Sequence, residues 1–428
     1  MRLLRFFSLS LLALTVSGTA STVSAQSDNP VAKAREGFET EIIRRFGEEL
    51  SMPDPVDFDD ARPGFSLIDY PSPIGDLQAL IKVPEGIDGK RPAIVWVLGG
   101  LPAGGATPDL FYSPSNDSDD SAIRYDYEGL VTVYPSFRGS FGNPGRREGF
   151  YGEVDDLVAA VEFVRGLEFV DEDHVYLAGL GFGATLALLA AETGVECRGV
   201  VCCGADADFF GYDLEIFPFD VEDEEEHRMR SPVEFLDGVK SKTLVLAGSN
   251  GLFIDWTQMV EASTNENITF GLIDGADHSD HMATTNELLA AHFAAAFEDP
   301  ELPVFPENSA LQETYAAGVM RRTRAEDLRQ LAGALEDGAD LSGEHTIEFL
   351  GVKQGGEGLE EFTEAARDQG FEVDEAVPQV SEFGDTFYIV MFRGACVPSD
   401  LNAFFGLTGK ARKLARDVDM SVEAWILR

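Results

Sequence analysis

Basic residues are scarce in this chain: 32 lysines and arginines stand against 76 aspartates and glutamates, a formal net charge of −44 over 428 residues. A surface of that sign repels nucleic acid phosphates and anionic headgroups, which argues against a nucleic acid partner. The acidic excess is spread along the chain, with a local peak at Glu222–Glu226, and reads as a solvated coat. Cysteine is rare too. Four in a chain of this length make no disulfide framework. Cys202 and Cys203 are strand neighbours that point to opposite faces, and Cys197 and Cys396 read as small core residues whose pairing stays open. Long apolar runs are absent beyond the first residues, and no later stretch approaches the roughly 18 apolar residues of a membrane span.

What is there begins with an export signal. Arg2 and Arg5 precede the short apolar stretch Phe6–Val16, and Val23-Ser24-Ala25 offers small residues for cleavage after Ala25. No cysteine at that point supplies a lipid anchor. The expectation is a periplasmic or secreted protein, with no membrane insertion after signal cleavage. With 44% hydrophobic and 10% aromatic residues, the remainder has the composition of a globular protein.

Residues 26–63 read as an N-terminal helix, Pro30–Leu50, with Phe38, Ile42, Ile43 and Phe46 at helical spacing, followed by the linker Met52–Pro63. From there strand-like runs (Leu77–Val83, Ala93–Leu98, Leu130–Tyr134, His174–Ala178, Gly199–Cys203, Thr243–Ala247, Ile268–Ile273) alternate with helical patterns (Tyr151–Leu167, Thr185–Glu192, Asp255–Thr264, Thr284–Phe297). That alternation predicts an α/β domain over 64–298, a mostly parallel sheet covered on both faces. A prolyl, acidic linker at 299–310 precedes a second domain, 311–428. Its order of elements is β-α-β-β-α-β, a ferredoxin-like α+β arrangement.

One stretch organises the first domain. Val175–Ala184 runs from a β-branched strand into a glycine turn and then a helix former, the arrangement in which a hydrolase presents its nucleophile within Gly-x-Ser-x-Gly. Here the turn is Gly179-Leu180-Gly181-Phe182-Gly183, and the centre is glycine.

Three further segments bear on that turn: Tyr134–Gly145, Gly149–Asp156 and Arg230–Phe235. With it, residues 65–298 resemble the α/β-hydrolases of the prolyl oligopeptidase (S9) and dienelactone hydrolase group. The resemblance implies an oxyanion hole near Leu98-Gly99-Gly100, with Phe182 beside the nucleophile position. It puts the nucleophile at Gly181, the acid at Gly251, and the histidine at His278 in Gly275-Ala276-Asp277-His278. Only the histidine of such a triad remains. Without a hydroxyl to activate or a carboxylate to orient it, an imidazole does little hydrolytic work. Asp255, four residues past Gly251, is a weaker candidate acid and a better helix N-cap.

Other readings stay open. Ser249 and Ser279 lie near the same sheet end and could serve an active ester or peptide hydrolase that pairs a non-standard nucleophile with His278. Gly179-x-Gly181-x-x-Ala184, with Asp206 after the next strand, satisfies a dinucleotide fingerprint, although several strands precede it. Asp277–His281 holds two histidines three residues apart but no evident third ligand, so no metal and no cofactor is expected. The second domain resembles the ribonuclease E inhibitor family (regulator of ribonuclease activity B) in Leu335–Gly338, His345–Phe349, Ala365–Phe371 and Val422–Trp425. Members of that family act on a cytosolic nuclease, so behind an export signal this domain reads as an interaction or packing module. The leading expectation is a catalytically degenerate hydrolase fold acting in binding or assembly. Its ligand is an unidentified small molecule or peptide, and any protein partner is engaged through the C-terminal domain. An open polar pocket above Gly181 favours a ligand site; filling by Phe182 or by Phe209–Phe219 favours a structural role.

Overall fold

The computed structural model describes residues 29–43, 64–86, 89–99, 118–140, 142–208, 217–251, 253–336, 340–342, 344–380, 386–416, 418 and 420–427. The expected signal segment, the linker Met52–Pro63, Gly100 and residues 209–216 lie outside the described residues. The chain divides into two compact units, Met1–Tyr315 and Ala316–Arg428.

The first unit is built on eight strands: β1 (Phe65–Ser72), β2 (Gly75–Lys82), β3 (Arg91–Val97), β4 (Val131–Pro135), β5 (Val170–Leu180), β6 (Gly199–Cys203), β7 (Thr243–Gly248) and β8 (Ile268–Ile273). They lie in the order β1-β2-β4-β3-β5-β6-β7-β8. The first two strands pair antiparallel with each other, and β2 pairs antiparallel with β4. From β4 onward every neighbouring pair is parallel. The unpredicted strand is β1, an edge strand in which half of the residues are exposed and which contains Pro71, so that it gives little apolar signal.

Side-chain alternation along the central strands sorts the core into two layers. Ala93, Val95, Val97 and Leu177 join one cluster with Leu157 and Val161 of α3 (Gly152–Arg165) and Leu188 of α4 (Phe182–Glu192). From the opposite face Trp96 and Tyr176 meet Tyr125 of α2 (Ile123–Tyr127) and Phe293 of α7 (Met282–Glu298). The sheet is therefore mostly parallel and covered on both faces.

The N-terminal helix is shorter than its periodicity suggests. Helix α1 is Pro30–Arg35, and the described part of the following segment, up to Ile43, is not helical. Tertiary contacts override the helical pattern. Arg35 donates to Asp155 and to the carbonyl of Tyr151, and Gly37 takes a positive φ of 79°. Beyond it Thr40 and the Glu41 amide bind the Glu226 carboxylate. The peak at Glu222–Glu226 is thus not wholly solvated coat. Glu226, in α5 (Glu224–Arg228), is buried against Arg230 at 2.5 Å, and Arg230 is itself fully buried. The pair costs desolvation, offset by further hydrogen bonds from Arg230 to the carbonyls of Glu148 and Gly149 and to Thr40.

The second unit has an antiparallel sheet of β9 (His345–Gln354), β10 (Glu372–Val373), β11 (Val377–Val380), β12 (Thr386–Cys396) and β13 (Ser421–Leu427). Its order is β10-β12-β9-β13, with β11 continuing on β12. Counting β10 and β11 as one broken strand, this is the 4-1-3-2 arrangement that β-α-β-β-α-β connectivity produces. The break is a bulge: the five residues from Val373 to Val377 oppose the four from Phe392 to Ile389. Helix α9 (Leu359–Asp368) and helix α10 (Leu401–Arg416) supply Phe362, Phe404 and Leu414 to the core around Phe349 and Phe392. The C-terminal part of α8 (Asn308–Glu336) adds Asp327, which accepts from Arg412 and from the indole of Trp425.

Candidate active site

Strand β5 delivers the glycine turn to the carboxyl edge of the sheet, where α/β folds place their sites. Gly181 has φ 54° and ψ −119°, between the end of β5 and the first residue of α4. Few residues adopt that backbone without strain, and glycine does so freely. Its amide donates to the Cys203 carbonyl at 2.9 Å, and its carbonyl accepts from the Thr185 amide at 2.9 Å. The flanking glycines allow strand and helix to touch: a Cβ on Gly179 would meet the Gly183 carbonyl carbon at 2.5 Å, and one on Gly183 would run into the Val97 carbonyl. The strand order and this turn after the fifth strand are those of the α/β-hydrolase fold.

His278 follows β8 and faces the turn. A Cβ built on Gly181 would lie 3.3 Å from His278 Nε2. The other ring nitrogen, Nδ1, is buried and has no hydrogen-bond partner among the described residues. Gly204 lies against that edge of the ring; an added Cβ there would stand 2.5 Å from Cε1 and 2.7 Å from Nδ1. Gly251, after β7, sits under the histidine backbone, and its Cβ would come within 2.8 Å of His278 N and 2.9 Å of Cα. The neighbouring carboxylate, Asp277, is turned to the backbone and accepts from the amides of Ser279 at 2.8 Å and Asp280 at 2.7 Å. Burial holds the half-buried His278 below the ordinary histidine range, with Asp277 opposing.

The remaining candidates scatter around this pair. Asp255 lies in the first turn of α6 (Phe253–Ala262) and accepts from the Ala207 amide at 3.1 Å; it tethers a loop and, as a correction to the N-cap expectation, serves a backbone group outside its own helix. Asp206 accepts from Thr185 Oγ1 at 3.2 Å, and burial, with Asp255 nearby, pushes it up to about 7. Ser249 Oγ accepts from the Gly275 amide at 2.9 Å and donates to Asp274. Neither Ser249 nor Ser279 hydrogen-bonds to His278 among the described residues. His281 is fully buried, shares a 3.1 Å contact with Thr285 Oγ1 through Nδ1, and is pushed down to about 4 by burial. Among the described residues no group of histidines, cysteines and carboxylates could hold a metal ion. All four cysteines are free, and burial pushes the Cys197 and Cys203 thiols up to about 11 and about 12.

At the expected oxyanion hole, the Gly99 amide is engaged from within. It donates at 2.9 Å to Asp119 Oδ2, whose other oxygen accepts from the Trp96 indole at 2.8 Å. Burial raises this carboxyl to about 6, against the pull of those two donors. Phe182 stacks on Phe150 at 5.4 Å, and Phe150 in turn packs on Phe217. These three rings pack in series beside the turn.

Residues that sequence reasoning passed over hold this edge together. Arg138 makes a bidentate pair with the fully buried Asp156 (2.9 and 2.8 Å) and reaches Glu148 at 2.9 Å. Both Arg138 and Asp156 lie inside the Tyr134–Gly145 and Gly149–Asp156 segments, where the pairing of arginine and aspartate was the available signal. Nothing marked Asp119, one acidic residue among many.

Comparison with known proteins finds no matching family model and no matching curated protein. Solved structures do resemble it. Dipeptidyl peptidase 4 of Porphyromonas gingivalis is 19% identical over 50% of this chain and 32% of its own, with a TM-score of 0.42. A Mycobacterium tuberculosis puromycin-hydrolyzing peptidase is 18% identical over 54% and 38%, with a TM-score of 0.44. A serine hydrolase without a lid from Xanthomonas campestris is 20% identical over 57% of this chain and 98% of its own, at 0.40. The chain thus spans about a third of the length of the two peptidases. Among the described residues no helix is long and apolar enough to cross a membrane.

Proposed function

We propose that this chain is an exported, non-hydrolytic protein that uses an α/β-hydrolase unit to hold a small-molecule or peptide ligand and its second unit as an interaction module. The observation that carries the reading is the elbow itself: Gly181 keeps the nucleophile's backbone and faces His278 Nε2, yet presents no atom that could attack a carbonyl. The acid position supports it, because Gly251 lies against the His278 backbone and, among the described residues, Nδ1 has no carboxylate to orient it. Losing the nucleophile of a serine hydrolase alone removes on the order of a million-fold of turnover. Export rests on Arg2, Arg5, Phe6–Val16 and the small residues ending at Ala25. For the second unit, support comes from the resemblance to the ribonuclease E inhibitor family together with the 4-1-3-2 sheet.

The test is hydrolysis of ester and peptide substrates by the wild-type chain beside His278→Ala. Equal, background-level rates are expected. Turnover well above background that disappears in His278→Ala would overturn the reading.

A further inference from the structure

We infer that His278 has exchanged roles, from proton acceptor to hydrogen-bond donor, and that the site above Gly181 therefore takes a ligand oxygen with a free lone pair, such as a carbonyl or carboxylate oxygen. The inference rests on the binding reading above and specifies the chemistry of the same site.

In a triad, a carboxylate on Nδ1 fixes the proton there and leaves Nε2 as the acceptor that activates the nucleophile. Here the Nδ1 side is sealed. It is buried without a partner among the described residues, the Gly204 backbone lies across it, and Gly251 packs under the histidine's own backbone where an acid would approach. Asp277, the nearest carboxylate in sequence, takes two backbone amides on Oδ1 and makes no hydrogen bond to the ring among the described residues. A buried N–H with no acceptor is among the rarest arrangements in folded proteins, whereas an unused lone pair is better tolerated. The neutral ring therefore keeps its proton on Nε2, the nitrogen that faces Gly181. Burial that disfavours the imidazolium keeps the ring in this neutral form.

The space opposite is real because position 181 has no side chain. A Cβ there would be 3.3 Å from Nε2, so a ligand oxygen a few tenths of an ångström nearer the ring falls at hydrogen-bond distance. A restored serine, whose hydroxyl must give up its proton to become a nucleophile, meets a donor instead of a base. An oxygen acceptor meets a partner.

The experiment is nitrogen NMR on the full chain labelled with ¹⁵N-histidine, with His278 assigned by its loss in His278→Gln and the sample held at about pH 8, where an ordinary histidine is neutral. The expected spectrum shows a protonated Nε2 and an unprotonated Nδ1. A proton on Nδ1 overturns the inference. N-methylacetamide and acetate are then titrated in separate arms. A saturable shift of the His278 Nε2 signal in either arm supports the assignment, and the responding arm tells a neutral carbonyl from an anionic one. No shift in either arm overturns the ligand class. Gly181→Ala, which places a methyl group in the space while leaving the ring intact, should abolish the shift; retention of the shift also counts against the site. The two failures are read separately: hydrolysis in the assay defeats the proposed function, whereas a proton on Nδ1 or the absence of a shift in the spectrum defeats the inference.

Discussion

The side chain missing from Gly181 would begin 3.3 Å from His278 Nε2, and the side chain missing from Gly251 would begin 2.8 Å from the His278 backbone nitrogen. The first absence leaves room beside the imidazole, whereas the second is filled by the histidine's own main chain. The two departures from a triad are therefore unlike each other, and their reversal has different consequences.

Gly181→Ser fits beside the ring but places a side chain on a backbone at φ 54°, ψ −119°. Such strain costs about 1–3 kcal/mol. The expected result is a folded protein that unfolds at lower urea concentration and gains less than about tenfold in ester hydrolysis, because His278 has no acid to orient it. Urea unfolding and an ester assay check both parts.

Gly251→Asp should not rebuild the acid. Its Cβ would fall inside van der Waals contact of His278 N and Cα, backbone atoms that cannot swing aside. Overpacking of this kind costs about 1–3 kcal/mol or more. Thermal unfolding should show the loss, and the Gly181→Ser/Gly251→Asp double variant should hydrolyse no faster than Gly181→Ser alone.

Glu192, at the end of α4, is fully buried and neither of its carboxylate oxygens has a partner among the described residues. Burial raises its pKa well above 4.5, so folding takes up a proton that the unfolded chain releases above that value. Its contribution is least unfavourable in acid and grows worse as pH rises through the window between the unfolded and folded values. Glu192→Leu should stabilise the protein by about 2 kcal/mol at about pH 8, with the gain shrinking toward about pH 4. Denaturant melts of both proteins across that range measure it; a gain that is flat with pH would contradict the assignment.

Asp156→Ala leaves Arg138 buried with Glu148 as its ion-pair partner among the described residues, and with Glu153 nearby. Breaking a buried pair from one side costs about 3–5 kcal/mol. Calorimetry should show a loss of that size, and Arg138→Met paired with Asp156→Leu should recover part of it.

How much of this was legible in the sequence differs from element to element. The parallel strands announced themselves as short apolar runs bounded by turns, and the elbow by the spacing of Gly179, Gly181 and Gly183. Helical periodicity overextended the helix at Pro30, because residues 36–43 follow partners far away in sequence: Tyr151, Pro218, Glu226 and Arg230. Glu226 looked like one more surface acid, although Arg230 four residues later was a hint of its burial. Two facts at the site had no local signal at all. That the Gly99 amide is taken by Asp119, and that the space at Gly251 is taken by the His278 backbone, depend on loops brought together by separate strands.

The central claim is that no residue of this chain acts as a hydrolytic nucleophile, and covalent labelling of the wild-type protein tests it most directly. The full chain is treated with a serine-directed fluorophosphonate and every adduct is mapped by mass spectrometry, with His278→Ala in parallel. The account predicts no adduct above that of the heat-denatured control. A stoichiometric adduct on one residue, lost in His278→Ala, would contradict it.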